Sequence, residues 1–197
     1  MTAVEPPDQA PATAAWRHFG ARDGFECLFV LRDGAGLRLH GSTAAVEAGE
    51  AWIVAYALVV DERWHTRSAR VWGRSRAGER AVALESDGAG HWHVDGVPAP
   101  HLDGCLDIDL ESSACTNTLP VHRLGLQVGQ GAEAPAAYVR AADLAVGRLE
   151  QRYVRMPDDG AVRPYDYTAP AFEFSCRLVF DEAGLVVDYP GIAERVL

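Results

Sequence analysis

Short glycine turns, most with an aspartate beside the glycine, divide this chain into many brief segments. They are RDGAG at 32–36, SDGAG at 86–90, VDG at 94–96, PDDGA at 157–161 and DEAG at 181–184. An Asp-Gly pair readily supplies the positive φ angles that tight hairpins need, so each turn marks a place where the chain reverses. Reversals this closely spaced leave little room for long helices and favour an antiparallel sheet.

The segments between these turns are rich in β-branched and aromatic residues and predict strands. The predicted strands cover residues 25–32, 51–60, 64–72, 80–86, 105–110, 122–128, 172–180 and 185–189. Helical and extended conformations both stay open for the alanine-rich stretch 132–146, and a last helical turn is expected after Pro190. We therefore predict one mainly-β domain over residues 16–197, with few short helices, and a disordered acidic, proline-rich tail over residues 1–15.

Charge and hydropathy exclude several classes of partner. The chain of 197 residues has a net charge of −10, which disfavours binding to nucleic acid. No apolar run approaches the ~20 residues of a membrane span, so stable membrane insertion is not expected. The first residues lack the pattern of a secretory signal, which predicts a cytoplasmic protein. All 18 basic residues are arginine, so Schiff-base and phosphate-loop chemistry through lysine is excluded.

The sequence CLDIDL at 105–110 places two aspartates on one face of a predicted strand. At the rise of a strand, the carboxyl groups of Asp107 and Asp109 lie roughly 7 Å apart. Three interpretations stay open: an acid/base pair, a metal site, or part of a structural charge ladder. The ladder is favoured, because a following strand can place Arg123 opposite Asp107 or Asp109, and buried carboxylates need such partners.

Two neighbouring motifs have structural and functional interpretations. In TNTLP at 116–120, threonine and asparagine side chains are expected to accept hydrogen bonds from nearby backbone N–H groups, and Pro120 to keep Leu119 extended. In HWHVD at 91–95, His91 and His93 share a strand face, which is a zinc-binding geometry that still requires a third ligand. An exposed hairpin is the favoured interpretation of that segment.

Several longer motifs carry a resemblance to a known family. They are YALVVDERWHTR at 56–67, DGAGHWHVDG at 87–96, LDGCLDIDL at 102–110, TNTLPVHRLGL at 116–126, QRYVR at 151–155 and GLVVDYPG at 184–191. Together they resemble the glycolipid-binding family, a bacterial group long catalogued as a domain of unknown function. The resemblance implies a single curved antiparallel sheet, an open barrel similar to the periplasmic lipoprotein-carrier fold, whose concave side holds a lipid or acyl chain.

These observations predict a non-catalytic protein that binds a glycolipid or another amphiphilic small molecule, with no cofactor. Aromatic side chains can line an apolar cavity, and charged groups can polarise one end of it. The predicted ligand-binding residues are Tyr56, Trp64, Arg67, Asp107, Asp109, Arg123 and Tyr153. The alternative is a hydrolase of a glycoside or ester that uses the Asp107/Asp109 pair, or a metal held by His91 and His93. The oligomeric state stays open.

Overall fold

A computed structural model describes residues 13–34 and 36–197, and these residues form seventeen strands and one α-helix. The strands are β1 (Thr13–His18), β2 (Arg22–Asp33), β3 (Gly36–Glu47), β4 (Glu50–Val60), β5 (Thr66–Ser75), β6 (Gly78–Ser86), β7 (Trp92–Val94), β8 (Val97–Pro98), β9 (Asp107–Leu110), β10 (Gly131–Glu133), β11 (Ala136–Val139), β12 (Val146–Leu149), β13 (Arg152–Arg155), β14 (Arg163–Ala169), β15 (Phe174–Phe180), β16 (Val186–Tyr189) and β17 (Ala193–Arg195). The helix is α1 (Thr118–Leu124), and short 3₁₀ turns cover Pro100–Leu102, Cys115–Asn117 and Pro170–Phe172.

Fourteen of these strands form one large curved sheet. Its strand order is β10-β13-β14-β15-β16-β17-β1-β2-β3-β4-β5-β6-β7-β8, and every neighbouring pair is antiparallel. The edge strands β10 and β8 do not pair with each other, so the barrel is open. The prediction of a mainly-β, largely antiparallel open barrel is therefore confirmed.

A second, smaller sheet packs against the inner face of the large one. It has the order β12-β11-β9, and the β11–β9 pair is parallel. Ile108 and Leu110 of β9 are buried in the same core as Leu28, Leu39 and Leu58 of the large sheet. The concave side of the barrel is thus largely filled by the chain itself, which leaves limited space for a ligand.

The predicted turns have the expected positive φ angles at glycine, and aspartate side chains add hydrogen bonds within them. Asp87 accepts hydrogen bonds from the backbone N–H groups of Ala89 and His91, at 2.7 and 3.1 Å. Asp181 accepts one from Leu185 at 2.9 Å. Gly88 and Gly184, which follow within these turns, have φ angles of 79° and 74°, where a side chain would be strained.

Three local predictions differ from the structure or are resolved by it. The segment predicted as a strand at 122–128 is wrong, because residues up to Leu124 belong to α1 and Gly125 caps that helix with a φ of 53°. The open stretch 132–146 is extended and contributes to β10, β11 and β12. The expected helical turn after Pro190 is instead strand β17.

The N-terminal boundary lies slightly earlier than predicted. Strand β1 begins at Thr13, where it pairs with Phe29 of β2. The rest of the predicted tail, residues 1–12, lies outside the described residues. Among the helices of the described residues, none is long and apolar enough to cross a membrane.

Candidate functional site

Asp107 and Arg123 form a buried ion pair at the centre of the molecule. Arg123 Nε lies 2.9 and 3.1 Å from the two carboxyl oxygens of Asp107, and its terminal nitrogen lies 2.5 Å from one of them. The Asp107 side chain is 1% exposed and that of Arg123 is 11% exposed. Burial raises the pKa of Asp107, and the bonds from Arg123 act in the opposite direction. The predicted arginine partner is present, but it comes from helix α1 instead of a strand.

Neighbouring contacts hold α1 in the position that this ion pair requires. The imidazole of His122 stacks on Trp64, with ring centroids 3.8 Å apart and planes at 3°. His122 Nε2 also lies 2.9 Å from the carbonyl oxygen of Ala183. Burial lowers the pKa of His122 to about 4, so this ring is neutral near pH 7. Trp64 therefore acts in the structure as a support for the helix that carries Arg123.

Asp109 differs from Asp107 in having no cationic partner within the described part of the chain. Its carboxyl oxygens accept hydrogen bonds from Thr116 Oγ1 at 2.9 Å and from Gln151 Nε2 at 2.5 Å. Burial raises its pKa to about 6, although both hydrogen bonds lower it. The charge ladder proposed from the sequence thus includes Asp107, whereas Asp109 is a half-buried carboxyl held by neutral donors.

The TNTLP motif builds the connection that carries these groups. Thr116 Oγ1 accepts a hydrogen bond from the backbone N–H of Leu110 at 3.2 Å, as expected for this motif. Asn117 Oδ1 instead accepts a bond from the hydroxyl of Tyr153 at 2.8 Å. The prediction of an extended Leu119 is wrong, because this residue lies in the first turn of α1. Proline is tolerated at that turn, where its missing N–H has no partner to bond.

A cavity of about 250 Å³ lies between the small sheet and the inner face of β14–β16. Most of its walls are apolar or aromatic, and its lining includes the charged side chains of Arg22, Asp109 and Glu111. The lining residues are Phe19, Ala21, Arg22, Asp109, Leu110, Glu111, Ser113, Asn117, Tyr138, Leu149, Tyr167, Ala169, Phe172, Phe174, Tyr189, Gly191 and Ile192. This combination of apolar walls and a few convergent polar groups is typical of small-molecule sites.

The charge of Arg22 in the cavity lining is already balanced by neighbouring carboxylates. Arg22 lies 3.7 Å from carboxyl oxygens of both Glu47 and Glu111 and donates a 2.8 Å hydrogen bond to the Glu111 carbonyl oxygen. Its guanidinium also stacks over Trp52 at 5.4 Å. The carboxyl of Asp109 is therefore the lining group that retains acceptor capacity for a ligand without a competing cation.

Of the seven predicted ligand-binding residues, one lines the cavity and six lie elsewhere in the structure. Asp109 lines the cavity, and Tyr153 lies behind it, where it orients Asn117. Tyr56 is buried and donates its hydroxyl to Glu26 at 2.7 Å. Arg67 is 42% exposed, lies 3.7 Å from Asp61 and lines a different surface depression. The remaining three, Trp64, Asp107 and Arg123, form the support described above.

A buried carboxyl that the sequence analysis did not single out lies next to this site. Glu26 of β2 is fully buried and accepts hydrogen bonds from Tyr56, from Ser113 and, at 2.7 Å, from the backbone N–H of Ala114. The sequence signal for its burial was the alternation of the strand. Phe25 and Cys27 on either side of it point outward, so Glu26 points inward. Glu26 thereby anchors the segment after β9 to the large sheet.

The third ligand that a metal site at His91 and His93 requires is not found among the described residues. His91 precedes β7, is exposed, and pairs with Asp87 at 2.7 Å. That hydrogen bond raises the pKa of His91 and lowers the pKa of Asp87 to about 2. Among the described residues, no group of three or more histidine, cysteine, aspartate or glutamate side chains is arranged to hold a metal ion. The predicted hairpin is present as β7 and β8.

The raised pKa of Asp109 predicts a pH dependence of stability. Its folded-state pKa of about 6 exceeds the ordinary value of 3.8, so the folded chain holds this proton more tightly than the unfolded chain. The resulting stabilisation is fully present below pH 3.8 and is lost as the pH rises through 6. By linkage it amounts to about 3 kcal/mol.

The variant Asp109→Asn removes this titration and isolates it from all other groups. We expect its free energy of unfolding relative to wild type to improve by up to ~3 kcal/mol between about pH 4 and pH 7. Urea unfolding of both proteins across this range measures the difference. A difference that does not change with pH would contradict the assignment.

The fold and cavity together define a class: a β-barrel-like protein whose interior holds a cavity of the kind that accepts a small ligand. The family model described as "Putative glycolipid-binding" matches residues 13–195. The chain therefore belongs to this family, as its motifs predicted. None of the curated proteins matches the chain.

Solved structures agree with this assignment. The crystal structure of a DUF1089 family protein from Pseudomonas aeruginosa, at 1.80 Å resolution, is 32% identical with a TM-score of 0.74. The match covers 100% of this chain and 98% of that one. A beta-barrel-like protein of the domain of unknown function DUF1849 from Brucella abortus has a TM-score of 0.52 at 10% identity, over 93% and 92% of the two chains. This second likeness concerns the fold alone.

Proposed function

We propose that this protein binds an amphiphilic small molecule, a glycolipid or a related lipid, in the cavity beside Asp109, and that it does so without catalysis. The observation that carries the proposal is the pairing of aromatic and aliphatic walls with one carboxyl that has no cationic partner among the described residues. Membership of the glycolipid-binding family supports the same class of ligand.

The size of the cavity determines how much of such a ligand it encloses. Its volume of about 250 Å³ is just below the range of about 300–1,000 Å³ for drug-sized ligands. One sugar ring or a short stretch of acyl chain fills it, and the rest of the ligand extends past Phe172, which is 54% exposed. Carboxylates accept hydrogen bonds from hydroxyl groups, so Asp109 is assigned to the polar part of the ligand.

The other predicted site residues take supporting positions in this proposal. Asp107 and Arg123 hold α1 and β9 together, and Tyr153 orients Asn117, which lines the cavity. They are positioning residues for Asp109 and Asn117. Direct ligand contact by Tyr56, Trp64 and Arg67 stays a prediction from the sequence, without support from the cavity described here.

The alternative of a glycoside or ester hydrolase has one supporting observation. Asp109 faces the cavity with a pKa of about 6, which suits a general acid near neutral pH. Among the described residues the paired mechanism lacks a second free carboxylate, because Asp107 is bound by Arg123 and Glu111, which also lines the cavity, lies 3.7 Å from Arg22. Binding without turnover is therefore the function that the geometry supports best.

Calorimetric titration with octyl glucoside tests the binding proposal. We expect saturable binding with a negative heat-capacity change, because apolar surface is buried. Phe172→Asp places a charge at the apolar wall of the cavity and should abolish most of the binding. Val97→Asp is the matched control, because Val97 is 65% exposed and lies outside the cavity lining. Equal loss in both variants, or no binding by wild type, would contradict the proposal.

Incubation with nitrophenyl glycosides and nitrophenyl esters separates binding from catalysis. We expect no turnover above the background of the Asp109→Asn variant. Turnover by the wild type that this variant lacks would establish the hydrolase alternative. Native mass spectrometry of the freshly purified protein, followed by solvent extraction, identifies any lipid that co-purifies.

A further inference from the structure

The outward surface of β2–β5 carries large apolar side chains that are exposed to solvent. Phe25 and Phe29 of β2 are 57% and 55% exposed, Ile53 of β4 is 43% exposed and Trp72 of β5 is 45% exposed. Strand register places Phe25 beside Ala44 and Ile53, so these side chains form one continuous surface. We call this surface, on the outside of β2–β5, the outer apolar face. The largest continuous apolar surface on a protein is often an interaction site.

Large outward side chains on this face form a ridge, and small outward side chains beside them leave a depression. The ridge is formed on β2 by Phe25 and Phe29, and Trp72 of β5 borders the opposite side. Between them, Ser42 and Ala44 of β3 and Ala55 and Ala57 of β4 have small outward side chains. Two larger outward side chains border these four, namely His40 of β3 opposite Phe29 and Ile53 of β4 opposite Ala44. Facing sheets pack well when large side chains of one lie over small side chains of the other. A two-fold rotation places each copy's ridge over the depression of the other copy.

The charges on this face lie at its border. Arg70 and Arg74 flank Trp72 on β5, and Asp23 lies at the end of the β2 row. Arg74 is paired with Glu79 at 3.3 Å. The chain carries a net charge of −10, which opposes attraction to an anionic bilayer. The face therefore suits a second apolar sheet better than a charged lipid surface.

The area of the face lies near the lower limit for a stable dimer. Four strands about 4.8 Å apart and nine residues long at about 3.3 Å per residue cover roughly 570 Å² per copy, or about 1,100 Å² in total. Protruding Phe and Trp side chains add to this flat estimate, which approaches the ~1,200–2,000 Å² of stable interfaces. We propose that the outer apolar face is the interface of a homodimer in which two large sheets pack face to face.

Sedimentation velocity of the full chain tests this proposal. At micromolar concentration we expect a species of twice the 21.3 kDa chain mass. Added salt should strengthen the association, because it screens the repulsion between two acidic chains. Phe29→Glu should halve the mass, whereas Val128→Glu, at a residue that is 54% exposed outside this face, should leave it unchanged. A wild-type monomer at all concentrations would overturn the proposal.

Cys27 provides a test that needs no variant. It is exposed on β2 between Phe25 and Phe29, whereas Cys105 and Cys115 are buried and Cys176 is half-buried. Its reaction with a maleimide, mapped by peptide mass, should slow as the protein concentration rises through the dimerisation range. A dimer in which Cys27 reacts as fast as in dilute solution would place the interface elsewhere. A monomer that floats with phosphatidylcholine vesicles would instead assign the face to a bilayer.

Discussion

The variant Asp107→Ala should lower the free energy of unfolding by about 3–5 kcal/mol, because it leaves the buried Arg123 guanidinium without its partner. For a chain of this length that loss corresponds to a fall in melting temperature of roughly 6–20 °C. Thermal and urea unfolding followed by circular dichroism measure both quantities. Melting within ~0.5 kcal/mol of wild type would show that the ion pair is not important for the fold.

An exposed ion pair provides the matched control for this variant. Asp166 of β14 pairs with Arg177 at 2.8 Å, close to the 2.9 Å of the Asp107–Arg123 pair, but both partners are about half exposed. Asp166→Ala should therefore cost less than ~1 kcal/mol. The contrast between the two aspartates isolates the effect of burial from the effect of the ion pair itself.

A double-mutant cycle separates the interaction energy from the penalty of an isolated charge. The double variant Asp107→Ala and Arg123→Ala should lose less stability than the sum of the two single variants, because no unpaired charge remains in the core. Additive losses would indicate that the two side chains stabilise the protein independently.

The variant Glu26→Ala should have a similarly large effect. Its carboxyl accepts hydrogen bonds from Tyr56, Ser113 and the backbone of Ala114, so its removal leaves three buried donors without an acceptor. Each such donor costs about 1–3 kcal/mol, so a total loss of roughly 3–9 kcal/mol is expected. Glu26→Gln should lose less, because the amide oxygen still accepts one of these bonds.

Two comparisons make the Glu26 prediction specific. Glu79→Ala removes an exposed carboxyl from the same sheet, where the ion pair with Arg74 is solvated, and should change stability by less than ~1 kcal/mol. The Glu26 variants should also loosen the segment that follows β9, which amide hydrogen exchange at Ser113 and Ala114 reports. Unchanged exchange there would contradict the anchoring role of Glu26.

The large sheet was predictable because its signals are local. Asp-Gly turns and alternating apolar residues lie within a few positions of one another, and they account for hairpins such as β2–β3 and β7–β8. The small sheet was not predictable from the sequence. Apolar and polar residues alternate at 107–110 in the same way whether this strand joins the large sheet or packs inside it. Helix α1 was missed since Pro120 resembles a helix breaker, although a proline in the first turn is compatible with a helix.

The site was only partly predictable for a related reason. The pairing of Arg123 with Asp107 follows from the general need of a buried carboxylate for a cation, which holds for a helix or a strand. The cavity walls, in contrast, come from distant segments such as Phe19, Tyr138, Phe172 and Ile192, and no spacing rule links them. Sequence alternation also does not reveal that Asp109 receives neutral donors instead of an arginine.

The antiparallel pairing of β1 with β17 has a consequence for the rate of folding. In each of the two meanders, β1–β8 and β13–β17, neighbouring strands are connected by short hairpins. Hairpins form quickly because their paired residues are close in sequence. Among the described residues, β1 and β17 are the one pair of strands that joins the two meanders within the large sheet. Beside this pair, Trp16 Nε1 of β1 donates to the carbonyl oxygen of Val186 in β16 at 2.8 Å, across 170 residues of sequence. Closing a loop of that length has a high entropic barrier. The pairing of β1 with β17 should therefore form last and limit the rate of folding.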